Sequence, residues 1–221
     1  MATFDLEEQE QLSELKTWWK LYGNLVVGLL CAAALAMVGY RGWSWYQRDQ
    51  ALHASAVYAN LQQAAAAGDA RAARLAAGEL IEKYSSSAYA GLGALVSART
   101  QYETGDTKTA RAQLAWAAEH ASDPELRDLA RLRLALVISD EGDHDEALKQ
   151  LAAEPIAALA GRYAEARGDI LVAQQKPAEA IAAYRVALQK VDDEVKTGGG
   201  RSGAVARERV RLKLDTLGEG Q

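Results

Sequence analysis

Twenty consecutive uncharged residues, Leu21 to Tyr40 (LYGNLVVGLLCAAALAMVGY), lie between Lys20 and Arg41. At 1.5 Å rise per residue such a run makes a helix of about 30 Å, the thickness of a bilayer's hydrocarbon core. Trp18, Trp19 and Tyr22 stand at one end; Tyr40, Trp43, Trp45 and Tyr46 stand at the other. Membrane–water interfaces select such side chains, which are apolar in body and polar at one edge. The segment reads as one transmembrane helix with these seven aromatics as interfacial anchors. A buried core helix would leave the aromatic clustering at both ends without a cause. Ala34-Leu35-Ala36 has the look of a signal-peptide cleavage site, but the preceding region is long and acidic instead of short and basic. Gly28, Ala32 and Ala36 form a line of small residues on one face, a candidate surface for packing against another membrane helix. Lys16 and Lys20 on one side balance Arg41 and Arg48 on the other, so charge alone leaves the orientation open.

Beyond the span, composition favours helix. The chain of 221 residues has 46 Ala but only five Ile, one Phe and three Pro, the first at Pro124. Ala is the strongest helix former and is depleted in strands, which argues against sandwiches, barrels and doubly wound sheets. The first 20 residues hold five acidic and two basic groups; the other 201 hold 25 acidic and 23 basic, close to balance. Without a basic surplus to meet phosphates, nucleic-acid binding is disfavoured. The single Cys31 allows no intrachain disulfide and no CxxC site.

From Arg41 the chain stays helix-compatible to about Ala67. Breaks then recur at Gly68-Asp69, Ser85 to Ser87, Thr104-Gly105-Asp106, Ser122-Asp123-Pro124, Glu141-Gly142-Asp143, Glu154-Pro155 and Gln175-Lys176-Pro177. Aligning Gly68, Gly105, Gly142 and Gln175 gives spacings of 37, 37 and 33 residues. Five residues after each comes Ala73, Ala110, Ala147 or Ala180; four further on come Ala77, Leu114, Leu151 and Tyr184, and three after those Leu80, Ala117, Glu154 and Ala187. This resembles the second-helix pattern of a tetratricopeptide repeat, in which the Ala marks a contact too close for a larger side chain. Gly168 matches the family's small first-helix residue and Leu171 its packing partner, with Ala98 and Ala135 at the small position in the preceding units. The resemblance departs at Gln175, where Gly is missing, and in the absence of a first-helix Trp. An Ala-rich bundle without true repeats is the competing arrangement. Val191 to Gly203 is polar and Gly-rich and reads as a flexible loop. Ala204 to Leu217 reads as a capping helix, with Val205, Arg209, Leu212 and Thr216 along one side. The expected fold is all-α: tail 1–20, transmembrane helix 21–40, membrane-proximal helix 41–67, tetratricopeptide-like repeats 68–190, loop 191–203 and cap 204–217.

No reactive constellation is expected. His53, His120 and His144 lie in separate segments, and no HExxH, GxSxG or DxDxDG pattern occurs. Gly91-Leu92-Gly93 lacks the third glycine and preceding strand of a dinucleotide site. The run Asp140 to Glu146 could hold a divalent cation but reads better as a solvated turn. The chain is read as non-enzymatic, without cofactor or metal. If the repeats are real, the family's pattern directs Arg99, Tyr102, Leu136, Arg162, Asp169 and Val172 into a groove of mixed polarity. The tetratricopeptide mode that clamps a C-terminal carboxylate with Lys and Asn finds no Asn there, since Asn24 and Asn60 lie upstream.

The acidic tail, a span preceded by WWKLYGN and followed by YRGWSWYQ, and about 170 residues of degenerate helical repeats together resemble the YfgM family. That resemblance implies a single-pass protein of the bacterial inner membrane, with a cytoplasmic N-terminus and a periplasmic repeat domain. It further implies association with the Sec translocon channel and with a membrane-anchored prolyl-isomerase-like periplasmic chaperone, in the handling of secretory proteins. Two other functions stay open from the residues: a scaffold for another envelope machine (cell-wall synthesis or outer-membrane assembly), and a cytoplasm-facing adaptor of opposite topology.

Overall fold

The computed structural model describes residues 4–196 and 200–218. These form helices and turns, with no strand among the described residues. The chain divides into two units, Met1–Gln50 and Ala51–Gln221.

The described part of the first unit belongs to helix α1, Phe4–Ala66. Tail, span and membrane-proximal helix, expected as separate segments, therefore share one helix. No proline interrupts it, and isolated glycines such as Gly28 and Gly39 each cost only about 1 kcal/mol in a helix interior. Its apolar stretch is long and apolar enough to cross a membrane. Leu21, Leu25, Leu29, Leu35 and Val38 are 66–74% exposed. A helix apolar all round is at home in a hydrocarbon environment. All seven aromatics of the two belts are exposed, and Trp19 and Trp43 stand about 36 Å apart along the axis. Within the belts the rings of Trp18 and Tyr22 lie 5.9 Å apart, and those of Trp43 and Tyr46 lie 6.3 Å apart. Gly28, Ala32 and Ala36 are exposed, and a Cβ added at Gly28 would meet nothing within 4 Å.

The second unit contains the end of α1 and then α2 (Ala70–Lys83), α3 (Ala88–Glu103), α4 (Thr107–His120), α5 (Pro124–Asp140), α6 (His144–Gln150), α7 (Ala157–Ala173), α8 (Pro177–Lys196) and α9 (Gly200–Thr216). From α2 to α9 each helix packs on its neighbours in sequence, the arrangement of a solenoid. Its core falls into three clusters. The first surrounds Leu61, Ala77, Leu80 and Ala90; the second runs from α3 to α7 through Leu114, Ile138, Leu151 and Tyr163; the third joins Tyr184 and Ala187 to Val210 and Leu214. Half-buried Trp116 packs against the first two.

The four aligned breaks share one backbone device. Gly68, Gly105, Gly142 and Gln175 take φ of 70°, 87°, 91° and 61°. At the end of α3, the Gly105 N–H donates to the Tyr102 carbonyl and the Asp106 N–H to the Gln101 carbonyl, the paired bonds of a Schellman motif. The same pair of bonds closes the turns at Gly68, Gly142 and Gln175. The next residue then starts a new helix: the carboxylates of Asp69, Asp106 and Asp143 accept from the N–H groups of Ala72, Thr109 and Glu146. A carbonyl cap and an N-cap thus occupy two adjacent residues. At the fourth turn Pro177 opens α8 instead, its preset φ and missing N–H suiting a first helical position.

Ala73, Ala110, Ala147 and Ala180 are fully buried, and Leu114, Leu151 and Tyr184 nearly so. A Cβ on Gly168 would lie 2.3 Å from Tyr184 Cε1, so α7 and α8 touch where only glycine fits. Gly93 does likewise on α3, where a Cβ would lie 2.5 Å from Leu80 Cδ1.

Three expectations are corrected. Helix α6 ends at Gln150, with Leu151 as its cap, so Glu154 lies past the helix and is exposed. Pro155 disfavours helical conformation at Glu154 and opposes continuation. The loop expected over 191–203 gives way on both sides to helix: α8 runs through Lys196 and α9 begins at Gly200, while 197–199 lie outside the described residues. Tertiary packing overrides the polar local signal there, for Val191 is buried and a Cβ on Gly203 would lie 2.5 Å from Val195 Cγ2. Finally, α9 turns Val210 and Leu214 to the core and leaves Val205 and Leu212 exposed, so the side marked by Val205 and Leu212 is not its packing face.

Candidate functional site

Two adjoining grooves cross the helices α3, α5 and α7. The first, of about 420 Å³, is lined by Ala98, Arg99 and Tyr102 of α3, Leu114 of α4, and Arg133, Leu136, Val137 and Asp140 of α5. The second, also about 420 Å³, is lined among others by Leu132 and Leu136 of α5, Arg162, Glu165 and Asp169 of α7, and Arg209 of α9. Leu136 lines both. Of the groove residues expected from sequence, the structure gathers Arg99, Tyr102 and Leu136 in the first, and Leu136, Arg162 and Asp169 in the second. Val172 lines neither and is exposed at the far end of α7.

The residues supplying this surface sit where helical spacing puts them. Arg99 and Tyr102 lie three apart on α3; Arg162, Glu165 and Asp169 lie three and four apart on α7, hence on one face. Beneath them the buried Ala98, Ala135 and Gly168 keep neighbouring helices close, which makes the apolar floor shallow.

Most charges here are already paired. The Tyr102 hydroxyl donates to Asp140 Oδ2 at 2.5 Å, and this bond, with the carboxylate's charge, raises the phenol above its ordinary value. Arg99 Nε donates to Glu103 Oε1 at 2.7 Å. Glu165, whose side chain is only 10% exposed, accepts both Nε and an Nη of Arg209 at 2.6 Å, and Lys213 Nζ at 2.8 Å. Lys213 also donates to Asp169 at 2.7 Å, and the Tyr184 hydroxyl donates to Asp169 Oδ1 at 2.7 Å. Burial pulls the Glu165 carboxyl up, but the donated bonds and charges of Arg209 and Lys213 outweigh it and hold the group below its ordinary value. Burial, then the bond to Asp169, pushes the Tyr184 phenol well above its own.

Arg133 is different. It is half-buried on α5, and among the described residues no carboxylate pairs with it. Burial first, then the like charges of Arg162 and Arg99, hold its guanidinium below the ordinary value. It nonetheless stays protonated at neutral pH. Exposed Arg162 is likewise without a hydrogen-bonded or ion-paired partner among the described residues.

Arg133, Arg209 and Lys213 were not expected here from sequence. A signal for two of them existed: Arg209 and Lys213, four apart on α9, face Glu165 and Asp169, four apart on α7. The acidic run Asp140 to Glu146 disperses instead of converging. Asp140 accepts from Tyr102, Glu141 from Arg111, Asp145 from Gln174, Glu146 from Lys149, and Asp143 caps α6. The grooves offer guanidinium groups, a phenol, carboxylates and aliphatic surface.

A family model described as a tetratricopeptide repeat-like domain matches residues 16–219. A protein named ancillary SecYEG translocon subunit from Neisseria gonorrhoeae is 31% identical over 214 residues, spanning 96% of this chain and 98% of that protein. Proteins of the same name from Haemophilus influenzae and Escherichia coli are 29% and 27% identical, covering 97% and 82% of this chain and 99% and 87% of their own.

Proposed function

The chain belongs to the tetratricopeptide repeat-like YfgM family of ancillary translocon subunits, and on that premise we propose that it is a membrane-tethered, non-enzymatic binding module at the Sec translocon. One observation carries this reading: the similarity to the translocon subunits runs through both the apolar stretch of α1 and the repeat unit. In the proposal, α1 crosses the bacterial inner membrane with its N-terminus in the cytoplasm. The repeat unit works in the periplasm, where it meets a membrane-anchored prolyl-isomerase-like chaperone and helps to hand over secretory proteins. Tethering raises the effective concentration of a module for partners in the same bilayer, to about millimolar for short links. Weak contacts in shallow grooves then suffice. The Gly28, Ala32 and Ala36 face offers a second contact inside the membrane.

The test is affinity purification of the intact protein at native expression level in mild detergent. Recovery of a channel subunit together with a periplasmic folding factor is expected. Exchange of α1 residues 21–40 for an unrelated transmembrane sequence is expected to weaken channel capture in part, and removal of residues 69–221 to abolish chaperone capture. Recovery of neither partner would turn the reading to a scaffold for another envelope machine. A topology reporter after Gln221 that reads cytoplasmic would overturn the orientation.

A further inference from the structure

The two grooves hold carboxylates, yet those described above are committed. Asp140 is held by Tyr102, while Glu165 and Asp169 are held by Arg209 and Lys213 of α9. Glu103, beside them, is held by Arg99. Glu194 of α8 also lines the second groove; the cations near the shared Leu136 that have no carboxylate partner among the described residues are Arg133 on α5 and Arg162 on α7. A half-buried guanidinium among like charges is poorly solvated, and an incoming carboxylate relieves both burdens at once. Arginine is also the cation best shaped to take a carboxylate through two parallel N–H bonds. Leu136, Leu114 and Val137 supply aliphatic surface next to it, enough for one apolar side chain.

We infer that this junction is a docking site for an acidic stretch of a partner polypeptide, taking a Glu or Asp side chain at Arg133 and Arg162 and a neighbouring aliphatic side chain on the Leu136 floor. A segment passing through is favoured over a chain end because Leu136 belongs to both grooves, so a ligand held at the junction has room on either side. At the far side Arg209 and Lys213 are tied into their own ion pairs and offer no comparable free cation. The inference rests on the proposed role as a binding module and names the chemistry its repeat unit recognises.

The test uses the full-length protein in nanodiscs of zwitterionic lipid. The probe is a short fluorescent peptide alternating glutamate and leucine, with amidated C-terminus, compared with its glutamine–leucine counterpart. Binding by anisotropy is expected for the first only. Arg162→Ala and Arg133→Ala are each expected to weaken it by about tenfold or more. Arg111→Ala, which alters an arginine already paired with Glu141, is expected to leave it unchanged. Exposed Arg162 keeps the test decisive if Arg133→Ala does not fold, which circular dichroism reports. Equal binding of the two peptides, wild-type affinity in Arg162→Ala, or binding to anionic phospholipid vesicles without any to the peptide would overturn the inference. Channel capture measured on the same variants separates the two readings. Lost peptide binding with intact capture leaves the translocon role standing, and absent capture by the wild-type protein removes that role whatever the peptide does.

Discussion

Gln175 occupies a backbone position that its three counterparts give to glycine. Its φ of 61° puts a Cβ where left-handed geometry costs an ordinary residue about 1–2 kcal/mol. Gln175→Gly removes that strain while adding freedom to the unfolded chain, so a net gain of about 0.5–1 kcal/mol is expected in urea unfolding. A loss of stability would mean that the side chain earns its place by a contact. The opposite sign is expected at Ala110, which is fully buried between helices. Ala110→Leu should cost about 1–3 kcal/mol by overpacking, and a cost near zero would show that the α3–α4 contact yields freely. These positions were legible because both constraints are local in kind: a residue type recurs where the backbone or a close helix contact demands it. Arg133 was not. Nothing in its own segment distinguishes it from its neighbour Arg131, which pairs with Asp128 at 2.9 Å.

Helix α9 packs on α8 and is tied to α7 by the ion pairs of Arg209 and Lys213 with Glu165 and Asp169. Glu165 has a carboxyl depressed below its ordinary 4.5 by Arg209 and Lys213 despite burial. A depressed carboxylate stabilises the folded state fully above its unfolded value, and that contribution fades as pH falls through the lower native value. Protection of the α9 amides, their exchange relative to the intrinsic rate at each pH, is therefore expected to stay high at neutral pH and to fall below about pH 4.5, ahead of the rest of the unit. Glu165→Gln should flatten this dependence and destabilise the unit at pH 7 by about 1–3 kcal/mol, read by thermal unfolding. An unchanged pH profile in that variant would shift the role to other carboxylates. The existence of a terminal helix was readable from its Arg-rich periodicity, but its facing was not. On a helix with few apolar residues, partners about 44–48 residues away decide which side turns inward. The helical turns flanking 197–199 were hidden for a similar reason, since glycine signals a break locally and close packing at Gly203 overrides it.

At the scale of the whole molecule the two units call for different solvents. The full chain is expected to stay in the pellet when membranes are washed with alkaline carbonate, and a chain beginning at Ala51 to be soluble without detergent. Appearance of the full chain in the wash would sink the membrane reading of α1. The long apolar helix and the helix–turn alternation were legible because each rests on composition over many residues; how the repeats share charge across helices was not, because that pairing exists only in the assembled unit. The shortness of α6 has a mechanical consequence. A solenoid whose helices hold mainly their neighbours yields under tension like links in series, at the weakest link first. With seven residues, α6 is the slightest link in the repeat unit, and the chain after it is fastened by the Ile156 N–H to Asp128 Oδ2 at 2.8 Å. Stretched between Ala51 and Thr216 in an optical trap, the repeat unit should part first around 144–156. That early event should lengthen the tether by about 25–35 Å, roughly the extended contour of those residues less their folded span. Asp128→Ala should lower the force at which it occurs, and an unchanged force would locate the weak link elsewhere.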